Sequence, residues 1–489
     1  MKKTLFIVLL FTIFSNLLAQ ENKYTAEDYS QMSIASVRAK DYDMALIMAD
    51  AAIKKCKEET NCSVSSIYVL RANIYNKLTQ YEKAISDYNS ALENLGENEY
   101  ENKIDILIWR ASTYYYMNNY GKFQSEMNEA LKSCISYIKK FPNNRRLQND
   151  LIEIYTRLGK DQTAIDEVIN IIEKNPARPL EEFDAYESTL LLDINYSQNM
   201  VEKKLKKYPN EINWLYLQAT LTFYRKDYPL ALQQFDKIID KFGSDYRLLH
   251  AKFVCYYSEK CAEKALAMLD KIENIHNKLD DDDLYYKRTI YGWLNDYENQ
   301  IKVCTDLLER KGFKSSVLYT RASAYMKLGD DAKAMVDLNT IIEKENTYLL
   351  AYYKRAKLHE KYNSEELAKA NYEEILKVDT KCNSSSIRHY ALLGLGKEKE
   401  AEEWINRIIS TIPHQSWIHY DKACLLAQIG KTDEAMESLS KALELGYNSF
   451  TQMMNDKDLE NVRQLPAFIP LVEKYKKVQD AKCAKLVEP

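Results

Sequence analysis

The chain has 489 residues, with 68 Lys and Arg against 72 Asp and Glu and a formal net charge of −4. This balance lacks the basic excess or stripe that nucleic-acid binding requires, so nucleic acid is excluded as an expected partner. Only 11 glycines and 9 prolines are spread over this length. Such a low content of turn-forming residues argues against a sandwich or barrel, and an all-α fold is expected.

Two lysines at the start are followed by an apolar run from Leu5 to Leu18, and then by Ala19 before Gln20. This arrangement resembles a secretory signal peptide, so we expect residues 1–19 to be removed and the mature protein to be exported, periplasmic or secreted. The alternative is an uncleaved anchor, but the run is short for a bilayer span. After cleavage no transmembrane segment is expected, because no later stretch approaches about 18 consecutive apolar residues.

From Ala26 onward the sequence divides into units of 34 residues, with small residues at positions eight and twenty of most units. Two consecutive units, residues 315–382, align without a gap. They share alanine at position eight (Ala322, Ala356) and at position twenty (Ala334, Ala368), and bulky residues at positions 24 and 27. This spacing predicts a helix, a turn and a second helix in each unit, with the small residues where the helices cross.

The repeated pattern resembles the tetratricopeptide repeat. The resemblance implies a helical-hairpin solenoid that winds into a right-handed superhelix, with the first helix of each hairpin on a concave inner face. Residues 26–449 divide into about twelve such units. Because one hairpin cannot bury its apolar face alone, neighbouring units must stack.

The predicted turns between the two helices carry a signature of their own. A short polar residue is followed by tyrosine at Asp41-Tyr42, Gln80-Tyr81, Asn119-Tyr120, Asp227-Tyr228 and Asp296-Tyr297. The polar side chain is expected to cap the second helix while the tyrosine packs behind it. In other units glycine is expected to end the first helix in a left-handed conformation, at Gly159, Gly329, Gly396 and Gly430.

Departures from the 34-residue frame suggest how the chain is organised. Residues 20–177 form an N-terminal array and residues 211–449 a C-terminal array. Between them, 178–210 reads as a shortened, irregular pair that is expected to form a junction. Residues 450–489 lie past the last repeat and are expected to contain helices that cover the final hairpin, because terminal repeats need such a lid.

Residues that could carry chemistry do not form a recognisable site. None of the six histidines has zinc-like spacing, so no metal is expected. The GLGK stretch, Gly394–Lys397, follows a helix rather than a strand and is interpreted as a helix-ending turn, not a phosphate loop. The acidic run Asp280–Asp283 is expected to cap a helix that starts at Leu284. We therefore predict no catalytic residues, no cofactor and no enzyme activity.

The nine cysteines are an odd number, so at least one is free or intermolecular if the others pair. Cys56 with Cys62, and Cys255 with Cys261, each flank a predicted turn, where a disulfide is geometrically feasible. The alternative is that cysteine takes the place of alanine in a tight core, as at Cys424. The sequence leaves both interpretations open.

The repeat pattern favours a non-catalytic scaffold that binds a protein or peptide partner in its groove, in the cell envelope. A periplasmic helper in secretion or outer-membrane protein assembly would use the same surface. A different class, a helical-repeat enzyme, would need an acid pair that the sequence does not reveal. The richness in Lys, Asn and Tyr is similar to that of many Bacteroidota envelope proteins.

The resemblance also implies which side chains face the groove, namely those at positions two, five, nine, twelve and thirteen of each first helix. The aromatic residues so placed are Tyr115, Tyr116, Tyr216, Phe223, Tyr224, Tyr319, Tyr353 and Tyr420. Tyrosine offers a large rigid surface with a polar tip, which suits a contact surface. The alternative is that tyrosine is simply frequent, with 38 copies in the chain.

Overall fold

The computed structural model describes residues 24–96, 98–175, 184–379 and 387–486. Within those ranges the secondary structure is helical and contains no strand, which confirms the all-α prediction. The expected signal peptide, residues 1–19, lies outside them. Contacts divide the chain into two compact units, residues 1–214 and 215–489, which are called unit 1 and unit 2.

Unit 1 is built mainly from consecutive helical hairpins. Its helices are α1 (Ala26–Arg38), α2 (Tyr42–Cys56), α3 (Val64–Lys77), α4 (Tyr81–Glu93), α5 (Tyr100–Tyr116), α6 (Tyr120–Lys140), α7 (Arg145–Arg157), α8 (Asp161–Lys174), α9 (Asp184–Leu190) and α10 (Ile194–Lys207). The next helix, α11 (Ile212–Tyr224), spans the division between the units.

Unit 2 continues the hairpins and ends in a short helical segment. Its helices are α12 (Tyr228–Phe242), α13 (Tyr246–Ser258), α14 (Ala262–His276), α15 (Asp281–Leu294), α16 (Tyr297–Lys311), α17 (Ser315–Leu328), α18 (Asp331–Lys344), α19 (Leu349–Lys361), α20 (Glu365–Val378), α21 (Arg388–Gly394), α22 (Glu398–Thr411), α23 (Ser416–Gln428), α24 (Thr432–Glu444), α25 (Phe450–Asn455), α26 (Glu460–Arg463) and α27 (Phe468–Ala484). Thus α1–α24 form twelve consecutive pairs, the number that the repeat frame predicted.

The small residues of the repeat frame lie where the helices cross. Ala84 on α4, and Ala322 and Ala334 on α17 and α18, are all 0% exposed. In addition to the contacts within hairpins, α1 touches α3, α5 touches α7 and α17 touches α19. First helices of neighbouring hairpins therefore converge, which places them on the inner side of each stack.

The polar residues before the turn tyrosines cap the second helices as predicted. The side chains of Asp41, Asn119, Asp227 and Asp296 each accept a hydrogen bond from a backbone N–H in the first turn of the following helix. Gln80 is the exception, because its longer side chain makes no capping hydrogen bond. A satisfied N–H at each helix start fixes where the second helix begins.

The turn also requires one residue with positive φ, which confirms the prediction for the glycines. Gly159, Gly329, Gly396 and Gly430 have φ values of 66°, 82°, 72° and 82°. Gly396 shows that the GLGK stretch is a helix-ending turn, since α21 ends at Gly394. Where a hairpin lacks glycine, the chain accepts the strain of a side chain in the left-handed region, as at Thr79 with φ 58°.

The acidic run before α15 caps that helix, as expected, but the helix begins earlier than predicted. Asp280 accepts a hydrogen bond from the backbone N–H of Asp283 at 2.8 Å. The helix therefore starts at Asp281 rather than Leu284. Three acidic residues thus lie in the first turn, where the helix dipole favours negative charge.

A repeated ion pair, which the sequence analysis missed, ties the two helices of a hairpin together. Arg71 donates to Asp87 through Nε and Nη2 at 2.7 and 2.6 Å, and also reaches Asp50 of the preceding hairpin at 2.5 Å. Arg321 makes the same two-pronged contact with Asp337, at 2.9 and 2.8 Å. Each arginine is at position seven of its unit and each partner sixteen residues later, as are Arg110 and Glu126.

Residues after the last hairpin cover its apolar face. Leu459, Val462, Phe468 and Val472 are buried in one cluster with residues of α23 and α24, including Leu439. Without this segment the last hairpin would expose the face that every other hairpin buries against its neighbour.

The two disulfides among the described residues agree only in part with the candidate pairings. Cys56 and Cys62 are bonded to each other. Cys255 and Cys261, by contrast, are not bonded to each other. Cys255 lies in the helical core of its hairpin as a buried free thiol. Cys261 lies at the start of α14 and is bonded to Cys483. Cys424 is also a buried free thiol, which agrees with its interpretation as a core residue.

Overpacking a helix crossing should destabilise the protein. We expect Ala334→Phe to lower the free energy of unfolding by about 1–3 kcal/mol, because the ring has no room at a fully buried crossing. Ala332→Phe on the exposed side of the same helix is the matched control and should change stability little. A urea melt of Ala334→Phe that coincides with that of wild type would mean that the repeat frame is misplaced.

Candidate functional site

The two predicted groove residues of unit 1 are well exposed. Tyr115 and Tyr116, at the end of α5, are 50% and 60% exposed. The ring of Tyr115 contacts those of Tyr120 and Phe123, each at 5.5 Å between centroids. This is an aromatic patch at the α5–α6 turn, a feature common at interaction surfaces.

The three predicted residues on α11 do not form one continuous stripe. Phe223 and Tyr224 contact each other edge-on at 5.2 Å, and Phe223 also contacts Tyr228. Tyr216 lies apart from them and approaches Phe235 of α12 at 6.3 Å. Its ring therefore contributes to packing within the hairpin as well as to the surface.

Three tyrosines on successive first helices of unit 2 lie on the inner side of the stack. Tyr319 on α17 approaches Tyr348 at 5.9 Å, and Tyr353 on α19 approaches Tyr390 on α21 at 4.9 Å. All four rings are partly exposed. We call Tyr319, Tyr353 and Tyr390, with Lys354 and Asp421, the inner face of unit 2.

Tyr420 corrects the expectation that it lines the groove. Its ring is only 3% exposed and stacks on Tyr447 at 4.3 Å. Its hydroxyl donates to Asp456 Oδ2 at 2.7 Å. The segment that follows α24 supplies both of these partners and covers the ring, so Tyr420 supports the inner face rather than belonging to it.

The sequence analysis missed Tyr390 and Asp421, although the repeat frame contained a signal for one of them. Tyr390 is at position nine of its unit, which is one of the inward-facing positions. Asp421 is at position six, which the frame does not assign to the groove. Its place follows instead from the hydrogen bond that the Tyr390 hydroxyl donates to Asp421 Oδ1 at 2.8 Å.

Burial shapes the charges of the inner face. It raises the pKa of Asp421 to about 7; the hydrogen bond from Tyr390 opposes this shift, and the negative charges of Asp456 and Asp458 add to it. Burial likewise lowers the pKa of Lys354, against the effect of the same two aspartates. A carboxyl group that changes charge near neutral pH therefore lies beside the tyrosine rings.

The inner face carries both signs of charge. Burial raises the pKa of Asp458, and Asp456 adds to the shift, while Lys357 and Lys354 oppose it. The two aspartates come from the segment after α25 and the two lysines from α19. Acidic and basic groups from distant parts of unit 2 are thus close enough to influence one another.

The described residues contain no group of three His, Cys, Asp or Glu side chains arranged to hold a metal ion. Among the same residues, no helix has both the length and the apolar character needed to cross a bilayer. The inner face presents aromatic rings, hydroxyl groups and a few charged groups.

Two hairpins match the tetratricopeptide repeat family model, at residues 65–94 and 418–445. They correspond to α3–α4 in unit 1 and α23–α24 in unit 2. With twelve helix pairs in chain order among the described residues, the chain has an all-α, helical-hairpin architecture in which these two hairpins are similar to tetratricopeptide repeats.

The chain is similar to several known proteins at low sequence identity. Over 83 residues, 16% of this chain and 25% of the relative, it is 29% identical to a chloroplastic protein of Arabidopsis thaliana. It thus matches about a quarter of that relative's length. Yeast Tom70 is 13% identical, with coverage of 93% of this chain and 96% of that one and a TM-score of 0.38. A thermophilic tetratricopeptide repeat protein of Thermus thermophilus is 18% identical, with 40% and 98% coverage and a TM-score of 0.30.

Proposed function

We propose that the protein is a scaffold that binds a segment of a protein partner along the inner face of unit 2. The observation that carries this proposal is the row of partly exposed tyrosines, Tyr319, Tyr353 and Tyr390, on three successive first helices. Repeat solenoids use such inner surfaces to bind partners. Tyrosine supplies large contact area with little side-chain entropy to lose, and it is enriched among the residues that dominate binding energy.

The rings are already held in place before a partner arrives. Tyr353 and Tyr390 contact each other at 4.9 Å, and Asp421 accepts a hydrogen bond from Tyr390. A surface that is ordered in the free protein loses less entropy on binding than a flexible one. Because the nearby charges are of both signs, we expect added salt to change the affinity only modestly.

Export to the cell envelope belongs to the same proposal. Residues 1–19 resemble a signal peptide, and the two disulfides, Cys56–Cys62 and Cys261–Cys483, support an oxidising compartment. Assistance in secretion or outer-membrane protein assembly would be one use of the inner face.

Mass spectrometry of the exported protein should find an N-terminus at or near Gln20, and an intact Met1–Ala19 segment would contradict cleavage.

A catalytic role is a second candidate, favoured by one observation. Asp421, whose burial raises its pKa to about 7, lies close enough to Asp456 and Asp458 for their charges to affect it, and a group of carboxyl side chains can supply an acid and a base. Assays against glycans and peptides test it. Activity that is lost in Asp421→Asn while binding remains would favour the enzyme over the scaffold.

Site-specific photo-cross-linking should locate the partner on the inner face. A photo-reactive phenylalanine analogue at Tyr353 is expected to cross-link a protein from an envelope extract. The same analogue at Val336, which is 64% exposed on the second helix α18, is the matched control and should not. Cross-links that form at Val336 and are absent at Tyr353 would place the binding surface on the outer side of the solenoid.

A further inference from the structure

The final helix, α27, has two halves with different surroundings. In its first half, Phe468 and Val472 are 0% and 2% exposed within the core of the last hairpin. Its second half projects beyond that core, and Val478 there is 63% exposed. The second half therefore depends on other contacts to hold its position.

Those contacts are with the turn between α13 and α14. Cys483 forms a disulfide with Cys261, the Gln479 amide donates to the carbonyl oxygen of Glu259 at 2.6 Å, and Lys482 pairs with the Glu259 carboxylate. Just beyond the helix, the Leu486 carbonyl accepts from Lys264 Nζ at 2.9 Å. We call the second half of α27 with this turn the clasp.

The clasp joins parts of unit 2 that are far apart in sequence. The disulfide spans 222 residues, which contain α15–α24, or five hairpins. The helices that carry Tyr319, Tyr353 and Tyr390 all lie inside this covalent loop. The clasp therefore closes a covalent loop that includes the helices of the inner face.

Apart from the disulfide, the clasp is weakly held. Apart from the burial of Leu486, its remaining contacts are polar ones at the edge of the fold, and such hydrogen bonds and ion pairs contribute modestly. Leu486 is the one apolar side chain between Val478 and Leu486 that is buried. Once the disulfide is broken, most of what fixes the second half of α27 is lost, while the buried first half stays in place.

We propose that the clasp is a redox-controlled closure of unit 2, which admits a partner segment to the inner face when the Cys261–Cys483 bond is reduced. This inference rests on the proposed function. The reductant is a dithiol, whose thiolate attacks Cys483, the more exposed of the two sulfur-bearing residues.

The exchange is balanced in electrons and protons. Attack forms a mixed disulfide between the reductant and Cys483 and releases Cys261 as a thiolate, which takes up a proton. The second thiol of the reductant then displaces Cys483, which leaves as a thiolate and is protonated. The reductant ends as its own disulfide, having given two electrons and two protons to the protein.

Hydrogen-exchange mass spectrometry on the full chain tests whether the clasp opens. Peptides from residues 476–486 should exchange about 10-fold faster or more after dithiothreitol treatment, and in Cys261→Ser/Cys483→Ser, than in the oxidised protein. Replacing both cysteines prevents Cys261 from pairing with Cys255. Peptides around Phe468 and Val472 should remain protected. The matched control, Cys56→Ser/Cys62→Ser, keeps the clasp and should open only with dithiothreitol.

Unchanged exchange over residues 476–486 in the reduced protein would overturn the proposal. Cross-linking from the photo-reactive analogue at Tyr353 then separates it from the proposed function. A higher cross-linking yield in the reduced protein supports the redox-controlled closure. An equal cross-linking yield in both states refutes the closure while the proposed binding function stands. If exchange accelerates but neither state cross-links, both the proposed function and the proposal that reduction admits a partner are contradicted. Only the opening of α27 is then established.

Discussion

Cys261→Ser/Cys483→Ser is expected to lower the free energy of unfolding of unit 2 by about 5 kcal/mol, which is a large part of a typical domain's stability. A disulfide restricts the unfolded chain, and the restriction grows with the loop that it closes. Here the cysteines are 222 residues apart. Urea unfolding followed by pulsed hydrogen exchange measures the loss, because peptides from each unit report on that unit separately.

The second disulfide among the described residues provides a matched comparison. Cys56 and Cys62 are six residues apart, so the same relation gives about 2 kcal/mol for Cys56→Ser/Cys62→Ser, felt in unit 1. Equal effects of the two double variants, or no effect of the first, would contradict the view that the long covalent loop restrains unit 2.

Arg321→Met is expected to lower the free energy of unfolding by about 3 kcal/mol, because it leaves a carboxylate buried without its charge partner. The Asp337 side chain is 6% exposed, and Arg321 is its two-pronged partner. Hydrogen bonding to Asp337 raises the pKa of Arg321. Replacing both residues, as Arg321→Met/Asp337→Leu, should recover much of the loss, since no buried charge then remains.

The control for this experiment is an exposed pair in the same hairpin. Lys333 contacts Asp330 at 2.6 Å, but their side chains are 65% and 35% exposed. Lys333→Met should therefore change stability by no more than about 0.5 kcal/mol in thermal or urea unfolding. A loss in Arg321→Met as small as that in Lys333→Met would mean that the repeated arginine tie contributes nothing specific.

The fold was predictable from sequence because its determinants are local and recur. Alanine at the crossings, polar caps before tyrosine and glycine at the left-handed turn residue each act within about 34 residues, and most units carry some of these signals. The repeated ion pair of the arginine at position seven also lies within one hairpin, but it is not evident from the aligned units. Arg321 pairs with Asp337, whereas the equivalent Arg355 meets the neutral Asn371 at 2.8 Å, so the partner changes from one unit to the next.

The features that could not be predicted depend on contacts between distant parts of the chain. Cys261 has Cys255 six residues away in sequence, but the curvature of unit 2 brings Cys483 to it instead. Tyr420 fits the repeat frame of a groove residue, but a segment beyond the last repeat covers it. Neither the stacking geometry nor the path of that segment is encoded in a 34-residue pattern.

The central claim is that a partner binds through the tyrosines of the inner face. Once the cross-linked partner has been identified, the most direct test is to measure its affinity for two tyrosine variants. Tyr353→Ala should weaken binding about 5-fold or more, equivalent to about 1 kcal/mol, without loss of helicity. Tyr362→Ala removes a tyrosine that is 61% exposed at the α19–α20 turn, away from the inner face, and should bind like wild type. Equal affinity of Tyr353→Ala and wild type, with binding that collapses as salt is added, would contradict the claim and indicate a charged surface instead.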